Sequence, residues 1–327
     1  MTNEARLADV ARLAQVSVAT ASRALAGATV VAAATQDRVR RAAVELGYEP
    51  NLAARQLVTG QGQSIALVLP DLANPFYAGV AKGVQRRVRL EGLTAVVADT
   101  DEDQETEAAV IAQVSPVASR LVLASPRMPD EAVRAIAQRA RVVLVNREVA
   151  GETAVTGDNA DGVRQALVHL HALGHRRVGY AGGPTSSWSD AARRRGLAAA
   201  RDQVALEVVD LGSFRPGSAG GVAAADLALA AGVTAVLAFN DQLALGMLGR
   251  LADRGVAVPE RLSVVGFDDI PVARLLAPSL TSVSVPAETL GRTAVELLLG
   301  PDRPEPGLRT VPVELAVRRS TAEPPDR

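Results

Sequence analysis

The sequence predicts a small all-α module over residues 1–50, then a linker over 51–62, then a two-lobed α/β domain with doubly wound parallel sheets over 63–327. Three observations predict it. Two short helical stripes separated by a tight turn open the chain. A third stripe with its own start and stop signals follows. From Ser64 onward, apolar strand-like runs alternate with amphipathic helical stretches in two successive series.

In the first module, Leu7, Val10, Ala11 and Ala14 repeat at i, i+3, i+4, i+7, the apolar stripe of a short helix. Gln15-Val16-Ser17 interrupts it. In the next helix Ala21, Ala24 and Leu25 pack inward, while Ala19, Ser22, Arg23 and Ala26 line the opposite side. Two short helices around a tight turn, the second exposing small residues and an arginine, form a helix-turn-helix of the size that enters a DNA major groove. For the third helix Thr35 is the expected N-cap and Asp37 favours the first turn, with Val39, Ala42, Ala43 and Leu46 as the stripe. Gly47 supplies the stop and Pro50 forbids continuation. Residues 1–60 hold seven arginines against five acids in a chain of net charge −1, a small surplus of the sign that phosphates attract. In the linker Asn51 can cap a helix and Gly60 can end it. So short a helix is marginal in isolation and is expected to form only when docked.

The large domain begins with the strand IALVLP (65–70) and a helix burying Tyr77, Val80, Ala81, Val84 and Val88. LTAVVAD (93–99), RLVLAS (120–125) and RVVLVN (141–146) complete the first series. RVGYAGG (177–183), EVVDLG (207–212), VTAVLAFN (233–240) and LSVVGFDD (262–269) form the second. Continuous β-branched runs spaced by helices indicate parallel sheets covered on both faces, and ligands of such sheets sit at the carboxyl ends of the strands. The candidates there are Asp71, Asn74, Phe76 and Tyr77 after the first strand, Asn146 and Arg147 at the fourth, and Trp188, Ser189 and Arg193 after the fifth. Phe214 follows the sixth, Asn240 and Asp241 the seventh, and Asp268 ends the eighth. Planar hydrogen-bonding groups with one or two rings suit a sugar or similar polyol. Several have plainer roles: Asp241 as a helix cap, Asn74-Pro75 as a turn, Asp269 as a loop tether, Arg194 and Arg195 as solvated charges. Trp188 reads equally as a lid over the ligand or as loop packing.

Composition narrows the function. Hydrophobic residues make up 48% of the chain but aromatics only 2%, so the core rests on Ala, Val and Leu; Lys82 is the single lysine. There is no cysteine, hence no disulfide framework and no thiolate chemistry. His169, His171 and His175 point in different directions at helical spacing, so no metal site is expected. No phosphate loop, dinucleotide fingerprint or nucleophile elbow occurs, so neither a cofactor nor catalysis is expected. The N-terminus opens into the first helix without a signal-peptide pattern, and no apolar run is long enough to span a bilayer. The expectation is a soluble cytoplasmic protein with no membrane partner.

The order DVARLAQVSVATASRAL, ELGYEPNLAARQL, IALVLPDLANPFYAGV, GDNADG (157–162), LGHRRVGYAGGP (173–184), FNDQLALG (239–246), VPERLSVVGFDDIPVARLLAPSLTSV (258–283) and ELAVRRST (314–321) resembles the LacI/GalR family of bacterial transcription regulators. The resemblance spans nearly the whole chain. It implies that Val18, Ala19 and Arg23 face bases, that Ser17, Thr20 and Ser22 contact phosphate, and that Asn51, Ala54 and Leu57 belong to a hinge helix with Leu57 wedged into the minor groove. It further implies a periplasmic-binding-protein-like effector domain, with lobe 1 at about 63–160 and 290–317 and lobe 2 at about 161–289 and 318–327. The chain would cross between lobes near Asp161, near Thr289 and after Val317. Effector contacts would fall first on Arg193, Phe214, Asn240 and Asp268. The sequence departs from the family pattern at Ala26 and Ala32, which replace Asn and Ser, and at Gln15, which replaces the turn glycine. Asn146 replaces an acid common in sugar-sensing relatives, and Ser187 replaces the arginine of the purine-sensing one. The implied function is a ligand-responsive regulator, read as a repressor, that binds a pseudo-palindromic double-stranded DNA operator as a homodimer under control of a sugar-like effector. The family leaves inducer and corepressor both open. The tail TAEPPDR lacks the heptad leucines of a tetramer-forming coiled coil. The alternative, a periplasmic sugar-binding protein with no DNA role, calls for a signal peptide and no helix-turn-helix.

Overall fold

The computed structural model describes residues 5–25, 30–48, 64–116, 118–200, 204–300 and 305–325. The chain forms two units, Met1–Gln61 and Gly62–Arg327.

In the first unit, α1 (Leu7–Leu13), α2 (Val18–Leu25) and α3 (Ala33–Glu45) close around Val10, Ala11, Ala14, Ala21, Ala24, Val39, Ala42 and Ala43. So small a core leaves little reserve, and tethers matter. The Arg38 Nε donates to the Ala14 carbonyl at 2.9 Å, tying α3 to the end of α1. The Ser17 Oγ accepts the Thr20 amide at 3.0 Å, which starts α2. The α3 start differs from the sequence expectation: Ala32, not Thr35, is the cap residue, and no side chain caps it. The Thr35 amide instead donates to the Ala32 carbonyl, because the helix begins three residues earlier than the polar cap rule implies. Gly47 ends α3 at φ +59° with the Tyr48 amide on Ala43 O and the Gly47 amide on Val44 O, the paired bonds of a left-handed helix stop.

The same stop recurs after α1 without glycine. Gln15 sits at φ +52°, with its amide on Arg12 O and the Val16 amide on Ala11 O. A side chain in this region costs about 1 kcal/mol, partly offset by the lower unfolded-state entropy of a non-glycine residue. Gln15→Gly is therefore expected to stabilise this unit by about 0.5 kcal/mol. The check is slower hydrogen exchange of the Val10 and Ala11 amides in the full chain. Faster exchange in the variant would mean that the Gln15 side chain contributes more than its backbone costs.

The second unit holds two six-stranded sheets. The first, in the order β11-β5-β4-β3-β1-β2, is parallel throughout. Its strands are β1 (Ser64–Leu69), β2 (Thr94–Asp99), β3 (Arg120–Ala124), β4 (Arg141–Val145), β5 (Thr153–Gly157) and β11 (Gly307–Val311). The second, in the order β12-β10-β9-β8-β6-β7, contains β6 (Arg177–Gly182), β7 (Glu207–Ser213), β8 (Ala235–Ala238), β9 (Ser263–Asp268), β10 (Thr281–Ser284) and an antiparallel β12 (Glu314–Ala316). Both faces of the first sheet are covered. Ile65, Leu67 and Leu69 pack toward α4 (Pro75–Leu90) and α11 (Ala287–Leu299), while Ala66 and Val68 pack toward α5 (Gln104–Val114) and α6 (Asp130–Ala137). A Cβ on Gly83 would lie 2.1 Å from Glu288 O and one on Gly291 2.1 Å from Val80 O, so α4 and α11 cross in backbone contact. The second sheet carries α7 (Asn159–Ala172), α8 (Trp188–Ala200), α9 (Ser218–Ala230) and α10 (Asp241–Asp253), with a 3-10 turn at Pro271–Arg274.

The chain crosses between lobes three times. After β5 it enters α7 of lobe 2 at residue 158; after β10 it returns to lobe 1 in α11 at 285–286. The third crossing differs from expectation: it lies between Val311 and Glu314, not after Val317, because β12 pairs with β10. Residues 287–289 accordingly belong with lobe 1 and 314–317 with lobe 2. Pro312, lacking an amide proton, interrupts what otherwise reads as one strand. His169 Nε2 lies 2.9 Å from Thr321 Oγ1, and His175 contacts Thr234 Oγ1 and Ala322 O, so two of the three histidines fix the C-terminal segment.

Candidate functional site

A narrow cleft opens between the carboxyl ends of the two sheets. Asn74, Phe76, Tyr77 and Asn146 line it from lobe 1, and Ser189, Arg193, Asn240 and Asp268 from lobe 2. Two of these sit where they do because they cap helices. The Asn74 Oδ1 accepts the Phe76 amide at the start of α4, and the Asn240 Oδ1 accepts the Leu243 amide at the start of α10, both at 3.0 Å. The plainer expectation for Asp241 is corrected: Asn240 is the cap, and Asp241 is fully buried beneath it. There Asp241 accepts the Ser282 hydroxyl at 2.6 Å and the Ile270 amide at 2.8 Å. Asp269 tethers its loop through Arg274 and Arg318.

Arg193 is the node of the lobe 2 wall. Its guanidinium lies 3.6 Å from the Phe267 ring centroid and 4.8 Å from that of Phe239. Nε donates to Asn159 Oδ1 at 3.0 Å, Nη1 to the Phe239 carbonyl, and Nη2 stands 3.7 Å from Asp268 Oδ1. Asn159 donates onward to Thr156, whose hydroxyl bonds Asn146 Oδ1 at 3.2 Å, so the first interlobe crossing links both walls. Burial pushes the Asp268 carboxyl up to about 8 against the lowering influence of Arg193, and neighbouring Asp241 pushes it the same way.

The lobe 1 wall is built on a tight loop after β3. The buried Glu107 carboxylate accepts the Arg127 and Met128 amides at 2.9 and 2.8 Å, and the Arg147 Nη1 donates to Pro126 O at 2.7 Å. Backbone strain gathers here: Glu102, Ser125, Asn146 and Asp268, all lining the cleft, hold φ between +47° and +109°.

Besides Asp241 and Arg147, three expected cleft residues fall elsewhere. Asp71 caps its own turn, its Oδ1 accepting the Ala73 amide at 2.7 Å. Trp188 turns away beneath Arg195, whose guanidinium is 5.7 Å from the ring. Phe214 lies in an outer depression with Pro184, Arg215 and residues 101–103, because β7 extends to Ser213 and carries it outward. Arg194 is not simply solvated: it bridges Asp190 and Asp210, each at 2.7 Å. The cleft adds Glu102, Ser125, Arg127, Ser187, Pro216 and Phe239. Glu102, Ser125 and Arg127 follow the second and third strands, where the strand-end rule would have found them.

In the first unit α2 exposes Val18, Ala19 and Arg23 on one side and keeps Ser22 half-buried. The Ser17 and Thr20 hydroxyls bond each other at 2.8 Å. Asn51, Ala54, Leu57 and Ala26 lie outside the described residues.

A reading helix and a two-lobed cleft define a class, DNA-binding regulators with a ligand-sensing domain, and comparison with known proteins gives the family. Residues 6–51 match the bacterial regulatory proteins of the lacI family, and residues 167–321 match a periplasmic binding protein-like domain. The chain is 36% identical to the HTH-type transcriptional regulator GalS of Salmonella typhimurium over 89% of its own length and 88% of that protein's. It is 31% identical to the ribose operon repressor of Bacillus subtilis over 97% and 98%. The lac repressor dimer bound to operator and the anti-inducer ONPF superposes with a TM-score of 0.86 at 28% identity, covering 98% of this chain and all of that one. The chain belongs to the LacI family of bacterial transcription regulators. Among the described residues no helix is long and apolar enough to cross a membrane.

Proposed function

We propose that this regulator is a repressor that binds a pseudo-palindromic operator as a homodimer in the cytoplasm. A saccharide held in the cleft controls it, and the protein has no catalytic role. The observation that carries the reading is the cleft wall of Arg193, Asn240, Asp268 and Asn146, polar groups set among Phe76, Tyr77 and Phe239. Such a set matches hydroxyl pairs and the apolar face of a sugar ring. Relatives point to the same class: a ribose operon repressor, and a CelR–cellobiose complex 30% identical to this chain with a TM-score of 0.70. At the DNA, Arg23 donates to a guanine edge, Val18 and Ala19 meet thymine methyls, and Ser17, Thr20 and Ser22 contact phosphate. Ala32, exposed and unable to bond phosphate, leaves more of the affinity to arginine.

Selection of bound fragments from genomic DNA, repeated with a sugar panel, tests this reading. Recovery of a short inverted repeat that one sugar releases or strengthens is the expected result. A repeat indifferent to every sugar would count against the saccharide. Leu57, outside the described residues, is read as the minor-groove wedge. Leu57→Ala is expected to cut operator affinity about 100-fold while sparing salt-sensitive non-specific binding. Equal loss of both would reduce Leu57 to a folding role.

A further inference from the structure

The two arginines of the cleft are not equivalent. Arg193 has every nitrogen engaged by the protein. Arg127 is as deeply buried, at 6% exposure, yet it has one side-chain partner, Glu102 Oε1, 3.4 Å from Nη2. Nη1 has no partner among the described residues, and Nε is the one buried side-chain polar atom there with no hydrogen bond. An unsatisfied buried donor is costly, and the cost is higher for a charged group. The surroundings hold this donor in place rather than relieve it. Glu107 takes the Arg127 and Met128 amides, Gln104 Nε2 donates to the Arg127 carbonyl at 2.8 Å, and Arg147 grips Pro126 O. The loop is braced to present a guanidinium whose donors are unspent.

We propose that Arg127 is the specificity-determining donor of the lobe 1 wall, and that it takes hydroxyl or ring oxygens of an uncharged saccharide. This rests on the reading of the cleft as the effector site. The ligand is uncharged because the cleft and its outer depression together carry three arginines, Arg127, Arg193 and Arg215, against three carboxylates, Asp101, Glu102 and Asp103, with Asp268 held protonated near neutral pH. No surplus of positive charge is left to hold a phosphate or a sugar acid. A hydroxyl meets both kinds of group: it donates to Glu102 or Asp268 and accepts from Arg127. Arg193 anchors the same molecule from the other wall, so closure of the lobes is coupled to the satisfaction of Arg127.

The test uses the full chain, with calorimetry and thermal melting against galactose, ribose and cellobiose, and against galacturonate, ribose 5-phosphate and glucose 6-phosphate. The expected result is binding of a neutral sugar, weakened about 10- to 100-fold by Arg127→Met and less by Arg127→Lys. Without any ligand, Arg127→Met is expected to melt no lower than the wild type, since relief of the unpartnered Nε and Nη1 donors offsets loss of the 3.4 Å pair with the partly exposed Glu102. This second arm decides even if no probe binds. A lower ligand-free melting temperature in Arg127→Met makes Arg127 structural and overturns the proposal. So does unchanged neutral-sugar affinity in that variant, or tightest binding by an acidic sugar or a sugar phosphate. Asn240→Ala separates the two levels: a sugar that binds it as well as the wild type lies outside the cleft, and then the effector-site reading itself fails.

Discussion

Arg193→Ala is expected to abolish the response of operator binding to the effector while operator affinity in the absence of effector stays unchanged. The side chain is sandwiched by Phe239 and Phe267 and bonds Asn159 and the Phe239 carbonyl. Its removal therefore empties the lobe 2 wall and frees the two rings to move. Loss of a charged donor together with the shape of the wall implies about a 100-fold fall in effector affinity or more. The variant also leaves the Asp268 carboxyl buried without its cation, 3.7 Å away in the wild type. Breaking such a pair costs about 3 kcal/mol, which for a domain of this size lowers the melting temperature by roughly 6 °C. Asp268 meets part of that cost by staying protonated, since burial already holds its proton to about pH 8. Fluorescence anisotropy with a labelled operator, with and without the sugar, reads both halves. A variant that still responds at wild-type sugar concentrations would exclude Arg193 as an anchor. One that loses operator binding at 25 °C would show that the wall supports the reading state as well.

How far the sequence reveals this architecture depends on where each strand lies. The runs that became β1, β3, β4, β6, β8 and β9 are continuous and apolar because both of their faces are buried, and that pattern is local; β2 and β7, half-exposed edge strands, are still marked by their paired valines. TAVTG, TSVS, GLRTV and ELA, which became β5, β10, β11 and β12, are short and mixed. β11 and β12 lie at sheet edges, and β11 gains its strand identity from β5, far away in the chain. The third crossing, which the resemblance placed after Val317, lies earlier because Glu314–Ala316 pairs with Ser282–Ser284 rather than continuing β11. In the cleft, the positions at strand ends were legible, but ring directions were not. Trp188 and Phe214 are close in sequence to cleft residues, yet one turns under Arg195 and the other outward. The left-handed backbone of Ser125 has no residue signature, since glycine and asparagine are the residues that announce such conformations; Asn146 carries it only weakly.

A second large effect concerns pH. Burial pushes Asp241 up to about 7 and Asp268 up to about 8, from an ordinary value of 3.8. The groups facing Asp241 lower it only in part: the Ser282 hydroxyl and the Ile270 amide donate to it and Arg318 attracts it, while Asp269 repels. In the unfolded chain both carboxyls lose their protons near pH 4; in the folded chain they keep them to near neutrality. The folded state thus binds more protons between those limits, and stability must fall as pH rises through that window and level off above about 8. Each group held protonated only in the folded chain contributes about 1.4 kcal/mol of loss per pH unit. The histidines act in the opposite sense at lower pH. Desolvation lowers His169 and His175, so the stability they contribute is lost as pH falls below about 6.5. The informative interval is therefore pH 6.5 to 8.5, and the informative comparison is with Asp241→Asn, which keeps an acceptor for the Ile270 amide and carries no charge. The wild type is expected to lose melting temperature across that interval, and the variant to lose less and to melt higher at pH 8.5. Parallel curves for the two proteins would mean that Asp241 is already ionised in the folded chain, with Ser282, Ile270 and Arg318 together compensating its burial.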